Sequence, residues 1–210
     1  MCRMMTRATQ SSARTFTQDA RRVQIVQATI ETLAEIGYSR ASFSAICRQA
    51  RLSSTGMISY YFSGKPELFR KAAQSVLAES EAAMAKCVAR ETTYRGKLGA
   101  YIVAQITFAT RRPTQTQALA EIVAMVQARQ ISGLDDVARA ALSVDSLTEL
   151  LEQGRQAGEF HTLDARLMAL VIHSAIENVV RHHCLQDGDG DPEPYARRLA
   201  DIFDRCIAAR

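Results

Sequence analysis

Apolar side chains recur at helical spacing along most of the chain, and most prolines fall where one run ends and the next begins. Val23, Val26, Ile30, Leu33 and Ala34 form a stripe that predicts a helix from about Thr17, its cap, to Ile36, with Gly37 as the stop. Phe43, Ile46, Cys47 and Ala50 follow at i, i+3, i+4 and i+7, predicting a short helix capped by Ser42. Arg51 and Leu52 break the pattern. Ser53 or Ser54 then caps a third helix running to about Tyr61, with Leu52, Met57, Ile58, Tyr61 and Phe62 holding it to its neighbours. Pro66 suits the first turn of a fourth helix, where a missing N–H goes unnoticed. Leu68, Phe69, Ala72, Val76 and Leu77 carry that helix toward Arg90. Further helices are predicted from Tyr94 to Arg112, from Pro113 to Gly133, and from Asp135 to Gly158 with an irregularity near Ser143. The last two run from Leu163 to about Leu185 and from about Pro192 to the end. With few β-branched clusters, the expectation is an all-α fold of about nine helices.

Two short helices joined by a tight turn over residues 42–61 read as a helix-turn-helix, whose second helix enters a DNA major groove. The outward positions Ser54, Thr55, Gly56, Ser59 and Tyr60 are small or hydrogen-bonding, and none is acidic. The string GYSRASFSAICRQARLSSTGMISYYFSGKPELF resembles the amino-terminal DNA-binding domain of TetR-family transcriptional regulators. Gly37, Tyr38, Ser42, Ile46, Ala50, Ser53, Ile58, Tyr61, Phe62, Lys65 and Leu68 carry the match at fixed offsets over roughly thirty residues, far more than one short motif provides. The resemblance implies a three-helix head followed by a larger helical domain for effector binding and dimerisation. The expected boundaries are a disordered basic arm over 1–16, the DNA-binding domain over 17–65 and the effector and dimerisation domain over 66–210.

Phosphate contacts position such a head and base-edge contacts select the sequence. Thr55, Met57 and Ser59 are the expected base readers. Gly56, without a Cβ, lets the backbone approach the groove. Tyr60 and Lys65 match family positions that grip phosphate; Ser42, Ser44 and Ser54 are neutral donors suited to the same task. Phe62 is assigned to the core, and Tyr61 to the core with its hydroxyl toward phosphate. Three departures stand out. Arg51 replaces the glycine usual at the turn, where a left-handed residue costs roughly 1–2 kcal/mol, and a phosphate contact is one way to offset this. Ser59 stands where many relatives have tyrosine, and Cys47 where alanine is common. The Thr55–Phe62 string also resembles a subgroup, the repressors of choline-to-betaine conversion.

Charge sharpens this picture. The net charge is +4, but residues up to Lys71 hold eleven Lys/Arg against four acids, and the rest fifteen against eighteen. A basic head on a mildly acidic body fits a polyanionic partner. Arg3, Arg7 and Arg14 make the arm positive, while Arg21 and Arg22 either touch phosphate or stay solvated. No apolar run approaches the ~20 residues of a membrane span, and the first residues lack the apolar segment of a secretory leader. A cytoplasmic protein without a membrane partner is expected. Five scattered cysteines without a C-x-x-C pair read as small apolar fillers.

In the body, the Leu163–Leu185 helix is apolar around most of its circumference (Leu167, Leu170, Val171, Ile172, Ile176, Val179, Val180) and needs partners on several sides. Tyr195, Leu199, Ile202, Phe203 and Cys206 line one face of the final helix. The resemblance implies a homodimer through these two helices, matched by a palindromic operator in double-stranded DNA. It also implies a cavity for an unidentified small-molecule effector, for which Tyr94, Tyr101, Phe108, Met125, His173 and Glu177 are candidate contacts. Glu177 stands out, because a carboxylate in an apolar helix needs a partner, either a cationic ligand or an arginine such as Arg181.

Other chemistry fits poorly. DGDGDPEP places Pro192 and Arg198 where a calcium loop needs glycine and glutamate. His182, His183 and Cys184 are adjacent and point apart, so no metal site is expected, and no cofactor. A glycine-rich phosphate loop and a G-x-S-x-G elbow are absent from the sequence, which argues against an enzyme. The alternatives to a DNA-binding regulator are a helical small-molecule-binding enzyme and a dimeric interaction protein.

Overall fold

A computed structural model describes residues 5–161, 164–186 and 191–209, with side chains from residue 18 onward except those of 183–186. Among the described residues there are ten α-helices and no strand: α1 (Met5–Arg40), α2 (Phe43–Gln49), α3 (Gly56–Tyr61), α4 (Lys65–Val88), α5 (Tyr94–Arg111), α6 (Pro113–Gln127), α7 (Asp135–Ala141), α8 (Asp145–Gln156), α9 (Ala165–Gln186) and α10 (Glu193–Ile207). The tenth helix arises because the expected Asp135–Gly158 helix divides at Ser143, whose Oγ bonds the Asp145 carboxylate at 2.9 Å and accepts the Asp145 N–H at 3.3 Å. No helix is long and apolar enough to cross a membrane among the described residues.

α1 begins earlier than expected. Its backbone is helical from Met5, so the arm placed over residues 1–16 is helical over its described part. The segment holds neither proline nor glycine, and its Met, Arg, Ala and Gln residues favour helix. Gly37 (φ 73°), the expected stop, is a break inside α1, which continues to Arg40; side chains other than glycine's resist that conformation. The buried face of α1 also differs. Val23 is 67% exposed, whereas Ile25, Ala28, Thr29, Ile30, Thr32 and Leu33 face inward. Two threonines can lie inside because each hydroxyl donates to the carbonyl one turn back: Thr29 to Ile25 and Thr32 to Ala28, at 2.8 and 2.7 Å.

The described residues form two compact units, each drawn from two stretches of the sequence. The first unit contains the residues up to Ser75 together with Gln117–Ala138. Its buried residues include Ile46, Ile58, Phe62, Leu68, Phe69, Ile122, Leu134 and Val137. Tyr38 meets Phe69 edge-to-face at 5.1 Å. Polar tethers join distant parts of its sequence. Glu121 accepts the Tyr38 N–H at the α1 break, and the Arg70 guanidinium bonds the Asp136 carboxylate and the Gly133 carbonyl.

The second unit holds Val76–Thr116 and Arg139–Arg210. Its core joins Leu98, Tyr101, Ile102 and Ile106 of α5 with Leu147 and Leu151 of α8, Ile172 and Ile176 of α9, and Phe203 and Ile207 of α10. Thr93 caps α5 by accepting the Gly96 N–H. At the far end, Phe160 pairs with Ala208 in an isolated bridge, and the Phe160 ring lies against Gly154, where a Cβ would collide with it.

Candidate nucleic-acid interface

The helix-turn-helix is built as its residues dictate, with one exception at the second cap. Ser42 Oγ accepts the Ala45 N–H at 3.2 Å, leaving its own proton available to a partner. Ala45, Ile46, Cys47 and Ala50 are buried, and the Cys47 thiol points to the Leu52 carbonyl. At the turn, Arg51 takes φ 52°, the left-handed conformation that glycine usually supplies. Neither Ser53 nor Ser54 caps α3. The N-cap position is Thr55, without a side-chain bond, and the first turn closes through the Ser54 and Thr55 carbonyls. Ser53 Oγ instead reaches Met57 Sδ at 3.5 Å.

α3 separates its chemistry by face. Ile58 and Phe62 are buried, at 0% and 2% exposure, while Ser54, Thr55, Gly56, Ser59 and Tyr60 are exposed. Ser44 is exposed on α2 beside the cap Ser42. Met57 is half-buried with its sulfur engaged, which makes it the weakest of the expected base readers. Tyr60 is 72% exposed and meets the Tyr61 ring edge-to-face at 5.0 Å, which restricts where its hydroxyl can go. A Cβ on Gly56 would find only ordinary contact with Ser54 Oγ, at 3.6 Å, and its φ is not left-handed. Nothing inside the chain requires glycine there.

Lys65, an expected phosphate contact, is engaged within the chain. Its ammonium donates to the Tyr38 carbonyl at 3.2 Å and lies over the Tyr38 and Phe69 rings at 4.5 and 5.2 Å. Burial lowers its pKa from the usual lysine value and raises that of the Tyr38 phenol. Arg22 is likewise engaged inside the chain, donating to the Tyr61 carbonyl at 2.8 Å with its guanidinium 4.8 Å from the centre of the Phe62 ring. Sequence spacing gave no sign of Gln24, which donates to the Ala50 carbonyl at 2.7 Å, or of the Gln49–Glu31 bond. Such contacts span 18 to 39 positions, beyond the reach of helical periodicity.

Five of the six effector candidates fall in the second unit, and Met125 in the first. Tyr101 is 8% exposed, and burial raises its phenol pKa. Tyr94 and Phe108 are half-buried, with cations over their rings: Lys97 at 4.5 Å and Arg112 at 5.9 Å. Glu177 is not the buried carboxylate expected from its apolar helix, since its side chain is 49% exposed. It lies 3.5 Å from His173 Nε2, which makes no hydrogen bond, and the neighbouring imidazole lowers the Glu177 pKa, with Arg181 adding a smaller charge effect. Gln105 Oε1, on α5 one turn beyond Tyr101, is buried without a hydrogen-bond partner.

Of the cysteines, Cys47 is buried and Cys206 exposed, so the filler role fails for the latter. The side chains of His183 and Cys184, and residues 187–190 of the aspartate-rich loop, lie outside the described residues.

The same stretch matches known proteins. Residues 25–72 fit the family model for bacterial regulatory proteins of the tetR family. Over that stretch the chain is similar to the amino-terminal domain of this family. Over 60 residues it is 40% identical to the HTH-type transcriptional regulator BetI 1 of Chromohalobacter salexigens, a match spanning 29% of each chain. Over 69 residues it is 36% identical to BetI of Stenotrophomonas maltophilia, covering 33% of this chain and 35% of that one. The matches thus span about a third of those regulators' lengths, and these relatives are named as transcriptional regulators, not enzymes. The fold as a whole is similar to a TetR-family transcription regulator from Marinobacter aquaeolei, with a TM-score of 0.71 at 20% identity over 91% of this chain and 97% of that one.

Proposed function

We propose that this chain is a cytoplasmic DNA-binding repressor that acts as a homodimer on a palindromic operator and is released by a small-molecule effector. The division of α3 carries the reading: Ile58 and Phe62 anchor it, while hydroxyls and an unforced glycine occupy the solvent face without a carboxylate. A polyanion meets donors there and no repulsion. Residues 17–65 are the DNA-binding domain in this reading, with Ser42, Ser44, Ser54 and Tyr60 on phosphates and Thr55, Gly56 and Ser59 at base edges. Met57 and Tyr61 border the base-reading face, and Lys65, tied to the Tyr38 carbonyl, adds positive charge near it.

Dimerisation is supported by a second exposed face. Leu167, Leu170 and Val171 on α9 are 60%, 46% and 48% exposed. On α10, Tyr195 and Ile202 are 47% and 52% exposed. Ala196, Ala200, Phe203 and Ile207 make the inward face of α10 and Leu199 packs against the same core, so Tyr195, Ile202 and Cys206 are left as the outward positions. A lone monomer gains nothing by keeping these groups in water. The effector binds in the second unit near Tyr101 and His173, and shifts the DNA-binding equilibrium by its differential affinity for the two states.

Selection of bound fragments from a random duplex pool tests the reading, repeated with Tyr60→Ala. A palindrome enriched by the parent and lost with the variant is the expected result, with affinity falling steeply as salt rises. Folded, dimeric, ligand-free protein that enriches nothing at low salt overturns it. Turnover of a small molecule would then favour an enzyme, and a dimer without duplex binding an interaction protein.

A further inference from the structure

α3 has six residues, too few to hold its own direction. Its orientation must come from what grips its ends. Before it, the turn is held by Gln24, whose Nε2 donates to the Ala50 carbonyl at 2.7 Å. Arg21 Nη1 donates to Gln24 Oε1 at 2.7 Å, which fixes which end of the amide faces the turn. After it, Arg22 Nη1 donates to the Tyr61 carbonyl at 2.8 Å, one of the last carbonyls of α3 and without a partner inside the helix.

The guanidinium of Arg22 is itself fixed on two further sides. It lies over the buried Phe62 ring, and its Nη2 is 3.9 Å from the Glu67 carboxylate. The other Glu67 oxygen accepts the Ser63 N–H and hydroxyl at 2.6 and 2.8 Å, tying the start of α4 to the same point. One turn of α1 therefore grips the recognition helix before its first residue and at its last carbonyl.

We infer that Arg22, and Gln24 oriented by Arg21, are positioning residues that set the angle of α3 and thereby its sequence preference, without contacting DNA phosphate. The inference rests on the DNA-binding reading above. Base-edge bonds are directional and depend on this angle, whereas non-specific attraction to the backbone does not. The two properties therefore separate when the grip is released.

The test compares the parent, Arg22→Met, Arg22→Lys and Gln24→Leu on the duplex selected by the parent and on an unrelated duplex, across a salt series. Methionine keeps the apolar stem over Phe62 and removes the donors; lysine restores one donor. Arg22→Met should bind the selected duplex about tenfold more weakly or worse, as expected when base contacts fail. It should retain non-specific affinity and the parent's slope of log affinity against log salt, with a helical circular-dichroism spectrum and melting transition showing that it folds. Arg22→Lys recovers part of the loss, and Gln24→Leu repeats the pattern of Arg22→Met. A slope shallower by about one, with both duplexes weakened alike, makes Arg22 a phosphate contact and overturns the inference. Unchanged specific affinity overturns it too. A parent that enriches no duplex removes the DNA-binding reading, and this inference with it.

Discussion

Two exposed surfaces of this molecule, one on α3 and one on α9 and α10, differ in kind. The face of α3 carries Ser54, Thr55, Gly56, Ser59 and Tyr60, whereas the faces of α9 and α10 carry Leu167, Leu170, Val171, Tyr195 and Ile202. Water solvates the first readily and the second poorly. A hydroxyl-rich, acid-free face accepts a polyanion at little desolvation cost, and an apolar stripe gains by meeting another apolar stripe. Exposure alone marks both; the chemistry of the exposed atoms tells one kind of partner from the other.

The contrast can be broken from either side. Charging the apolar stripe should have the largest effect: Leu167→Glu with Ile202→Glu weakens the dimer at least about 100-fold, roughly 3 kcal/mol. Sedimentation equilibrium over a concentration series measures this, and a parent that stays monomeric removes the interface. On the polar face, Gly56→Ala should lower affinity for the selected duplex about tenfold. The same change raises stability to urea by about 0.5–1 kcal/mol, because no contact in the chain opposes a Cβ there. Loss of stability instead would make Gly56 a folding requirement. Arg51→Gly should relieve the left-handed strain and stabilise by about 1 kcal/mol. A salt slope shallower by about one in that variant marks a phosphate contact, and an unchanged slope confines Arg51 to the turn.

The smallest effect concerns the second unit's own cohesion. Hydrogen bonding to Arg95 holds the Asp204 carboxyl below its ordinary 3.8. A lowered folded value contributes stability that is complete above about pH 4 and lost as pH falls through that value. Asp204→Asn should therefore melt lower than the parent at neutral pH, and the two curves should converge as pH falls through the lowered carboxyl pKa. Parallel curves across that range would remove the pair from the unit's stability.

The helix-turn-helix was legible because its rules are local. A serine oxygen three positions before Ala45 and apolar groups at i, i+3, i+4 and i+7 act within one or two turns, while the left-handed position at Arg51 was legible only through the family resemblance. The same locality explains the errors. Val23 fits a helical stripe as well as Ile25 does, and only the packing of other elements decides which turns inward. Glu177 looked stranded in an apolar helix because the solvent face of α9 cannot be told from its core face by composition.

The sequence by itself determined the helical class, the turn between α2 and α3, the basic bias of the first third and the family likeness of the head, since propensity, capping and charge belong to neighbouring residues. Tertiary structure alone decided that Arg22 and Lys65 spend donors on the Tyr61 and Tyr38 carbonyls, and that Gln117–Ala138 joins the unit containing α1 to α3. Those outcomes depend on groups 27, 39 or more positions apart meeting in space, and the free energy of such a meeting is set by the packing around both partners.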